Sequence, residues 1–415
     1  MSLSLADLKS LLLELLFLRD VAAISDVGKL GDADWLEVKK MLAEHRLGPL
    51  FHWRLTHECS FLPVPPSIRE YCEGSFRAAT IRSLGIQREL LKLHRILESS
   101  GIRHVGLKGA RLAFFCYPQP GLRPMRDLDI LVPEADVLKA FDALIDGGCS
   151  RIDKYDGSAE AWTKHSHHMP PLRSPSRMIG VELHRSLFHL KENGAEGFEL
   201  SELEGFWERH AALSLAGKKI PYLSPAEQLL HLIVHAVYDH QFNNGPLLIS
   251  DIGYLLQCEQ VDWEAFWRLA KQGGHEKGAT LALRMVERYW GKQAIDWGIE
   301  PIAVEEDLLE SVCRLMLCDF EASNGVRVAH AFGLREDFRG KMAYLVSKAF
   351  PRRSQIALVF PVSEKSPWVY AWYPVKWWWL MTHRLPGFLR ARKQVRLKAE
   401  MSGLGKLNDW LNRIE

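Results

Sequence analysis

The sequence predicts a mixed α+β protein in which a small α/β domain sits between an N-terminal and a C-terminal helical region. Three observations lead there. Helical periodicity dominates the first hundred residues and returns after Ser224. The stretch between carries short apolar segments broken by prolines and glycines. One of these segments, Asp127-Leu128-Asp129-Ile130-Leu131-Val132, alternates acidic and apolar residues with the period of a strand. The expected organisation is a helical region over 1–97, an α/β domain over 98–220, and a helical domain over 221–415 that ends in a basic, aromatic tail.

Element by element, Ser4 followed by Asp7 caps a first helix, whose stripe runs Leu8, Leu11, Leu12, Leu15 and Leu16. Further helices are expected over 34–44 and 67–98, separated by the breaker cluster Pro63-Val64-Pro65-Pro66. A short strand over His104–Leu107 leads through Lys108-Gly109 into a helix over 110–116. The Asp127–Val132 strand follows, then a helix over 134–147 with Pro133 at its start. Two more strands are expected over 167–172 and 179–184. Ser224-Pro225-Ala226-Glu227 is a strong helix start, with a cap, a proline and a glutamate in their favoured places. Helices over 262–270, 274–291, 304–319 and 337–349 complete the chain.

The formal charge of the 415 residues is only +2, but it is unevenly placed. Residues 341–415 hold fourteen Lys/Arg against four Asp/Glu, a net +10, which leaves −8 on the rest. Seven scattered cysteines without a CxxC pair point to a reducing compartment and buried thiols, not to a disulfide scaffold or a structural zinc site. No signal-like leader and no run of eighteen apolar residues is present, so the expectation is a cytoplasmic protein without a transmembrane segment.

Asp127 and Asp129, two apart on a strand, share a face, with Leu128, Ile130 and Val132 on the other. Two like charges so close repel, and a divalent cation such as Mg²⁺, which favours carboxylate oxygen, relieves them. A pair of metal ions clamping a phosphoryl group needs a third carboxylate. Glu182, between apolar Val181 and Leu183, is the candidate. His184 shares its face and is expected either to orient it or touch substrate, or simply to pack. Lys108 and Gly109, at a strand-to-helix turn, suit close approach of a phosphate. Arg123 and Arg126 are expected either to hold β- and γ-phosphates or to pair with the acids. His165, His167 and His168 resemble a metal cluster, but alternation on a strand prevents all three from converging. His231 and His235 lack the glutamate of H-E-x-x-H and are expected as core or interdomain residues. Asp251 is expected as the N-cap of its helix.

The run Leu107-Lys108-Gly109-Ala110, Tyr117-Pro118, Arg123-Pro124-Met125-Arg126-Asp127-Leu128-Asp129 and Glu182-Leu183-His184 resembles the uncharacterised nucleotidyltransferase family of the DNA polymerase β-like superfamily. The resemblance extends over about residues 35–360, including Leu47-Gly48-Pro49-Leu50 and the helix of His231 and His235 with Asp251-Ile252. It implies a polymerase β-like nucleotidyltransferase core in which Asp127 and Asp129 bind catalytic Mg²⁺ and Glu182 takes the third-carboxylate position, as ligand or base. The superfamily's glycine-serine signature is replaced here by Lys108-Gly109-Ala110. The reaction implied is transfer of a nucleoside monophosphate from a nucleoside triphosphate, with ATP expected, to a hydroxyl of a small molecule or protein. The alternatives are a nucleic-acid-directed transferase, a phosphotransferase, and a non-catalytic nucleotide-binding protein. In the tail, Trp368, Tyr370, Trp372, Tyr373, Trp377, Trp378, Trp379 and Phe388 lie among Lys376, Arg384, Arg390, Arg392, Lys393, Arg396 and Lys398. There the expectation is that Trp377–Leu380 packs on the bundle and the basic helix after Pro386 is solvated, with membrane-surface and nucleic-acid contact as alternatives.

Overall fold

The computed structural model describes residues 3–24, 27–152, 157, 159–188, 198–291, 295–298, 301–318, 320–333, 337–387, 389 and 395–412. The N-terminal region forms α1 (Leu5–Phe17), α2 (Asp32–Glu44), α3 (Gly48–His57) and the long α4 (Pro66–Ser99). Ser4 caps α1 by accepting the Asp7 N–H at 3.2 Å.

A seven-stranded mixed sheet follows, in the order β3-β4-β5-β2-β1-β7-β6. Its strands are β1 (Val105–Gly106), β2 (Asp127–Leu131), β3 (Ser150–Arg151), β4 (Leu172–Arg173), β5 (Gly180–His184), β6 (Ala211–Leu215) and β7 (Lys218–Tyr222). β5 and β2 run parallel, and β1 lies antiparallel to β2 on its other side. The expected strand over 167–172 shrinks to β4 and an isolated bridge between His168 and His184. Pro170 and Pro171 remove two consecutive N–H donors and cannot extend a ladder. The β6–β7 hairpin has no counterpart in the sequence reading. Its turn places Ala216 and Gly217 at φ 49° and 78°, the handedness a tight hairpin requires.

The expected helix after Gly109 is α5 (Gly109–Arg111), continued by a π-turn over Leu112–Cys116. α6 (Val137–Asp146) starts after a 3₁₀ turn at Glu134–Asp136, and α7 is Ala159–His165. The C-terminal region comprises α8 (Pro225–Val234), α9 (Leu247–Cys258), α10 (Trp263–Gln272), α11 (Glu276–Trp290), α12 (Glu306–Leu315), α13 (Phe320–Gly333), α14 (Phe338–Ala349), α15 (Arg353–Ala357), α16 (Tyr373–Trp379) and α17 (Val395–Asn412). Ser224 and Glu227 cap α8 reciprocally, as their spacing predicts.

Two large cores hold these layers, and a small third one joins Ile356, Val369 and Tyr373. The smaller of the two large ones lies between the sheet and the C-terminal half of α4 with α6, joining Ile86, Leu90 and Leu93 to Leu128, Ile130, Phe141 and Val181. The larger merges α1–α3 with the C-terminal helices, joining Leu12, Phe51, Leu230, Ile252 and Leu283. The face of β2 opposite Leu128 and Ile130 is therefore turned toward the junction of the sheet with both helical regions. That geometry places a cleft over the acidic residues.

Two expectations fail here. Trp377 and Trp378 of the Trp377–Leu380 segment expected to pack on the bundle are exposed, while farther along Leu404, Leu407 and Trp410 of α17 enter the larger core and buried Lys9 pairs with Glu400 at 2.8 Å. Phe388, Arg390, Arg392 and Lys393 lie outside the described residues, as do the side chains of Arg396 and Lys398. The second concerns the thiols. Cys116, ending the π-turn, and Cys258, ending α9, are joined as a disulfide with Cα atoms 5.3 Å apart. Cys59, Cys72, Cys149, Cys313 and Cys318 remain buried thiols. The pair is 142 residues apart, so only folding brings it together.

Candidate active site

The parallel register of β2 and β5 builds the floor of the cleft. Asp129 lies opposite Glu182, Asp127 opposite Gly180, and Leu131 opposite His184. Strand alternation puts Asp127, Asp129, Glu182 and His184 on one face. One ligand atom from each of Asp129, Glu182 and His184 lies within 4.8 Å of the others.

Asp129 is the centre of this group. Its Oδ1 accepts from Lys108 Nζ at 3.0 Å and from His184 Nε2 at 2.9 Å. His184 Nε2 is 3.8 Å from Glu182, so the histidine orients Asp129 first, a correction to the expectation that it serves Glu182. Burial pushes the pKa of His184 down to about 4, so the imidazole is neutral, and it donates through Nε2 because the ionised Asp129 carboxylate can only accept.

Lys108 stands at the end of the β1 segment with φ 44°, a region that costs a residue with a Cβ about 1–3 kcal/mol. Burial opposes the lysine's charge, but Asp129, Glu182 and Asp127 together hold its pKa above the ordinary value. Lys108 thus lines the cleft with its charge already engaged by a carboxylate, where the sequence reading had it free for phosphate.

Gly109 serves a different need from the one expected. A Cβ there would meet the Arg123 guanidinium at 2.4 Å. Arg123 cannot yield, because Asp251 grips it with two hydrogen bonds, 3.0 Å from Nε and 2.8 Å from Nη2. The Tyr117 hydroxyl donates to the same carboxylate at 2.7 Å. Arg123 therefore pairs with neither Asp127 nor Asp129. Asp251 lies inside α9, with Pro246 at the N-cap position, so its expected capping role is also corrected. This buried cluster ties the segment before β2 to the C-terminal helices. Arg126 stays exposed and lines the cleft.

Charge on the floor is unbalanced. Burial, then Asp129 and Glu182, push Asp127 up to about 7. Burial, then Asp129, push Glu182 up to about 7. Asp129 goes the other way: burial disfavours its charge, but Lys108 and His184 hold it well below the usual carboxylate range. Three carboxylates with one ammonium form a site that takes up positive charge, either protons or a hard cation. The oxygen-rich donor set fits Mg²⁺.

The cleft encloses about 580 Å³. Beyond the acidic floor it is lined by His167 and His168, by His235 and His240 after α8, by Asn243 and Asn244, and by His45 and Arg46 from the α2–α3 turn. The histidine expectations divide. His165 turns away to Glu364 at 2.8 Å, while the rings of His167 and His168 both lie near His184, at 5.4 and 5.6 Å between centroids. They converge because this segment is only bridged to the sheet, so strict alternation does not apply. His231 is a core residue, as expected, whereas His235 reaches the cleft. His45, Arg46, Asn243 and Asn244 have no role in the sequence reading. The only signals at these positions are loop chemistry: Leu47-Gly48-Pro49 after the one, Gly245-Pro246 after the other.

The profile of the uncharacterised nucleotidyltransferase family matches residues 31–291, which contain the whole sheet, the acidic floor and all of the cleft lining. The chain belongs to that family. Neither a curated protein nor a solved structure matches it. As a member of the polymerase β-like superfamily, the chain is a nucleotidyltransferase enzyme, and the Asp129–Glu182–His184 group is the transferase's candidate metal cluster. Residues 292–415 of the transferase, including α12 to α17, lie beyond the matched segment. Among the described residues no helix is long and apolar enough to cross a membrane.

Proposed function

We propose that the transferase moves a nucleoside monophosphate from a nucleoside triphosphate, ATP being the expected donor, to a hydroxyl of a small-molecule or protein acceptor, with release of pyrophosphate. The observation that carries this reading is the pairing of Asp129 with Glu182 on adjacent parallel strands, with Asp127 on the same face, at the floor of a cleft. Asp127, Asp129 and Glu182 would hold Mg²⁺, and bound Mg²⁺ supplies Lewis-acid stabilisation of charge on the phosphate oxygens. Lys108 and His184 keep Asp129 ionised and aimed. Glu182 acts either as the third ligand or, left off the metal, as the base that takes the acceptor's hydroxyl proton at its carboxylate oxygen. Arg46 and Arg126 supply positive charge on the cleft wall for the polyphosphate, in place of Arg123, which Asp251 occupies. A cleft of this volume, walled by residues from both helical flanks, favours a compact acceptor over a nucleic-acid duplex.

The deciding experiment incubates the purified protein and an Asp127→Asn/Asp129→Asn form with α- or γ-labelled nucleoside triphosphates, Mg²⁺ and cell extract. Incorporation of α-label that vanishes in the double variant is the expected result. Incorporation of γ-label alone would replace the proposal with phosphotransfer. No transfer, together with no Mg²⁺-dependent nucleotide binding, would end it.

Two quantitative outcomes go with this reading. Arg46→Ala removes a charge-assisted contact worth about 1.5–3 kcal/mol, so KM for the nucleotide rises about tenfold or more, with kcat less affected. Steady-state kinetics with the nucleotide varied checks this. The second concerns protons. Asp127 and Glu182 are raised to about 7, so below that pH protons compete with the cation. Mg²⁺ affinity therefore climbs as pH rises toward 7 and levels off above it. Binding releases about one to two protons near pH 6 and almost none near pH 8. Titration calorimetry in buffers of different ionisation enthalpy measures that release.

A further inference from the structure

Large apolar side chains are buried through most of the molecule, but not in one segment outside the family's core. Among the described residues, twelve of the eighteen exposed large hydrophobic ones fall between Phe338 and Leu389. α14 is the extreme case: Tyr344 is its one buried residue. Phe338, Met342, Leu345 and Ala349 recur at i, i+4, i+7 and i+11, which stacks them along one face, and Val346 widens it. Phe338 is 76% exposed. Helical geometry places Arg339 on one flank of this stripe and Lys341 and Lys348 on the other.

The next helix continues the pattern. Trp377 Nε1 donates to the Ala349 carbonyl at 2.6 Å, and its ring lies 5.2 Å from that of Phe350, which docks α16 against the end of α14. From that docked helix Val375 and Trp378 stand out, Trp378 at 67% exposure, as does Met381 in the turn that follows it. Between residues 337 and 387 the chain carries eight Lys/Arg and two acids, Asp337 and Glu364. Of these acids, Glu364 is engaged with Lys164 and His165 on α7.

We propose that α14 and α16 form a membrane-docking surface that seats this transferase on an anionic lipid headgroup layer. A contiguous exposed apolar face is rare on a protein that works free in water. An apolar stripe with basic residues on both flanks and neighbouring indoles matches an interfacial helix, whose apolar face enters the acyl boundary while Lys and Arg reach the headgroups. Charge complementarity selects this occupant. Two copies meeting through the patch would oppose like charges, whereas anionic lipid neutralises them. α14 and α16 are too short and too charged to span the bilayer, so the contact is peripheral. The inference stands apart from the catalytic reading, since none of these residues lines the cleft.

The test is co-sedimentation of the full-length protein with vesicles of phosphatidylcholine alone and of phosphatidylcholine mixed equally with phosphatidylglycerol. Partition onto the anionic vesicles is expected to exceed that onto neutral ones by about tenfold or more and to fall as salt is raised. Leu345→Glu/Trp378→Glu and, separately, Arg339→Glu/Lys348→Glu should each lower it by about tenfold, with thermal unfolding unchanged because all four side chains are exposed. Equal partition on both vesicles, no sedimentation, or full retention by both variants would overturn the proposal. So would a wild-type dimer that Leu345→Glu dissociates, which would assign the patch to a second copy. Retention of an oligonucleotide in place of vesicles would assign it to nucleic acid.

Discussion

Asp129→Asn is expected to lower nucleotidyl transfer by about a thousandfold. The carboxylate is the common partner of Lys108 and His184 and lies opposite Glu182 in the sheet. Its loss removes a cation ligand, and metal-derived charge stabilisation is worth several kcal/mol; about 4 kcal/mol corresponds to that factor. The replacement also changes its neighbours in a defined direction. After burial, which the replacement leaves in place, Asp129 is the largest cause of the upward shifts at Asp127 and Glu182, so both move down when it is neutral. The proton release that accompanies Mg²⁺ binding in the wild type should therefore shift to lower pH in whatever binding Asp129→Asn retains. Single-turnover kinetics and the calorimetric titration read the two effects independently. A rate within tenfold of wild type would remove Asp129 from the catalytic set.

The second large effect is on stability. Asp251→Ala strands the Arg123 guanidinium in a mostly buried position and removes one acceptor of the Tyr117 hydroxyl. Breaking a buried ion pair from one side costs about 3–5 kcal/mol, chiefly because the remaining charge has no compensation. Urea unfolding should show that loss. The double replacement Arg123→Met/Asp251→Leu removes both charges, and Tyr117 keeps its contact with Ser250 at 2.8 Å, so most of the stability should return. If the double variant is as unstable as the sum of the singles, the cluster is held by packing and not by its charge pair. Gly109→Ala strikes the same cluster from the other side, because its methyl group would occupy the guanidinium's place.

These two predictions rest on residues of very different legibility. The acidic floor is local information. Asp127 and Asp129 share a face because a strand has period two, and Glu182 stands out as a charge between apolar neighbours. The long α4 and the α8 cap are equally local, since helix periodicity and capping act within a few residues. Arg123 could be recognised as important, but its partner could not: Asp251 lies 128 residues on and is placed by the packing of α9. The Cys116–Cys258 disulfide escaped for the same reason. His45, Arg46, Asn243 and Asn244 come from loops of two separate helical regions, and no periodicity marks a loop residue that faces a cleft.

The tail shows the converse limit. Its composition announces a basic aromatic segment, yet composition cannot say which indoles are covered. In the structure α17 sinks Leu404, Leu407 and Trp410 into the core while Trp378 and the apolar face of α14 stay in solvent. Short-range patterning thus determined the acidic strand, its partner glutamate, the principal helices and the family. The tertiary structure alone decided which charges meet. It gave Asp129 to Lys108 and His184, Arg123 to Asp251, and the open cleft wall to Arg46 and Arg126. The physical reason is that secondary structure follows from contacts a few residues apart, whereas an ion pair depends on where the packing of distant apolar faces brings two side chains within about 3 Å.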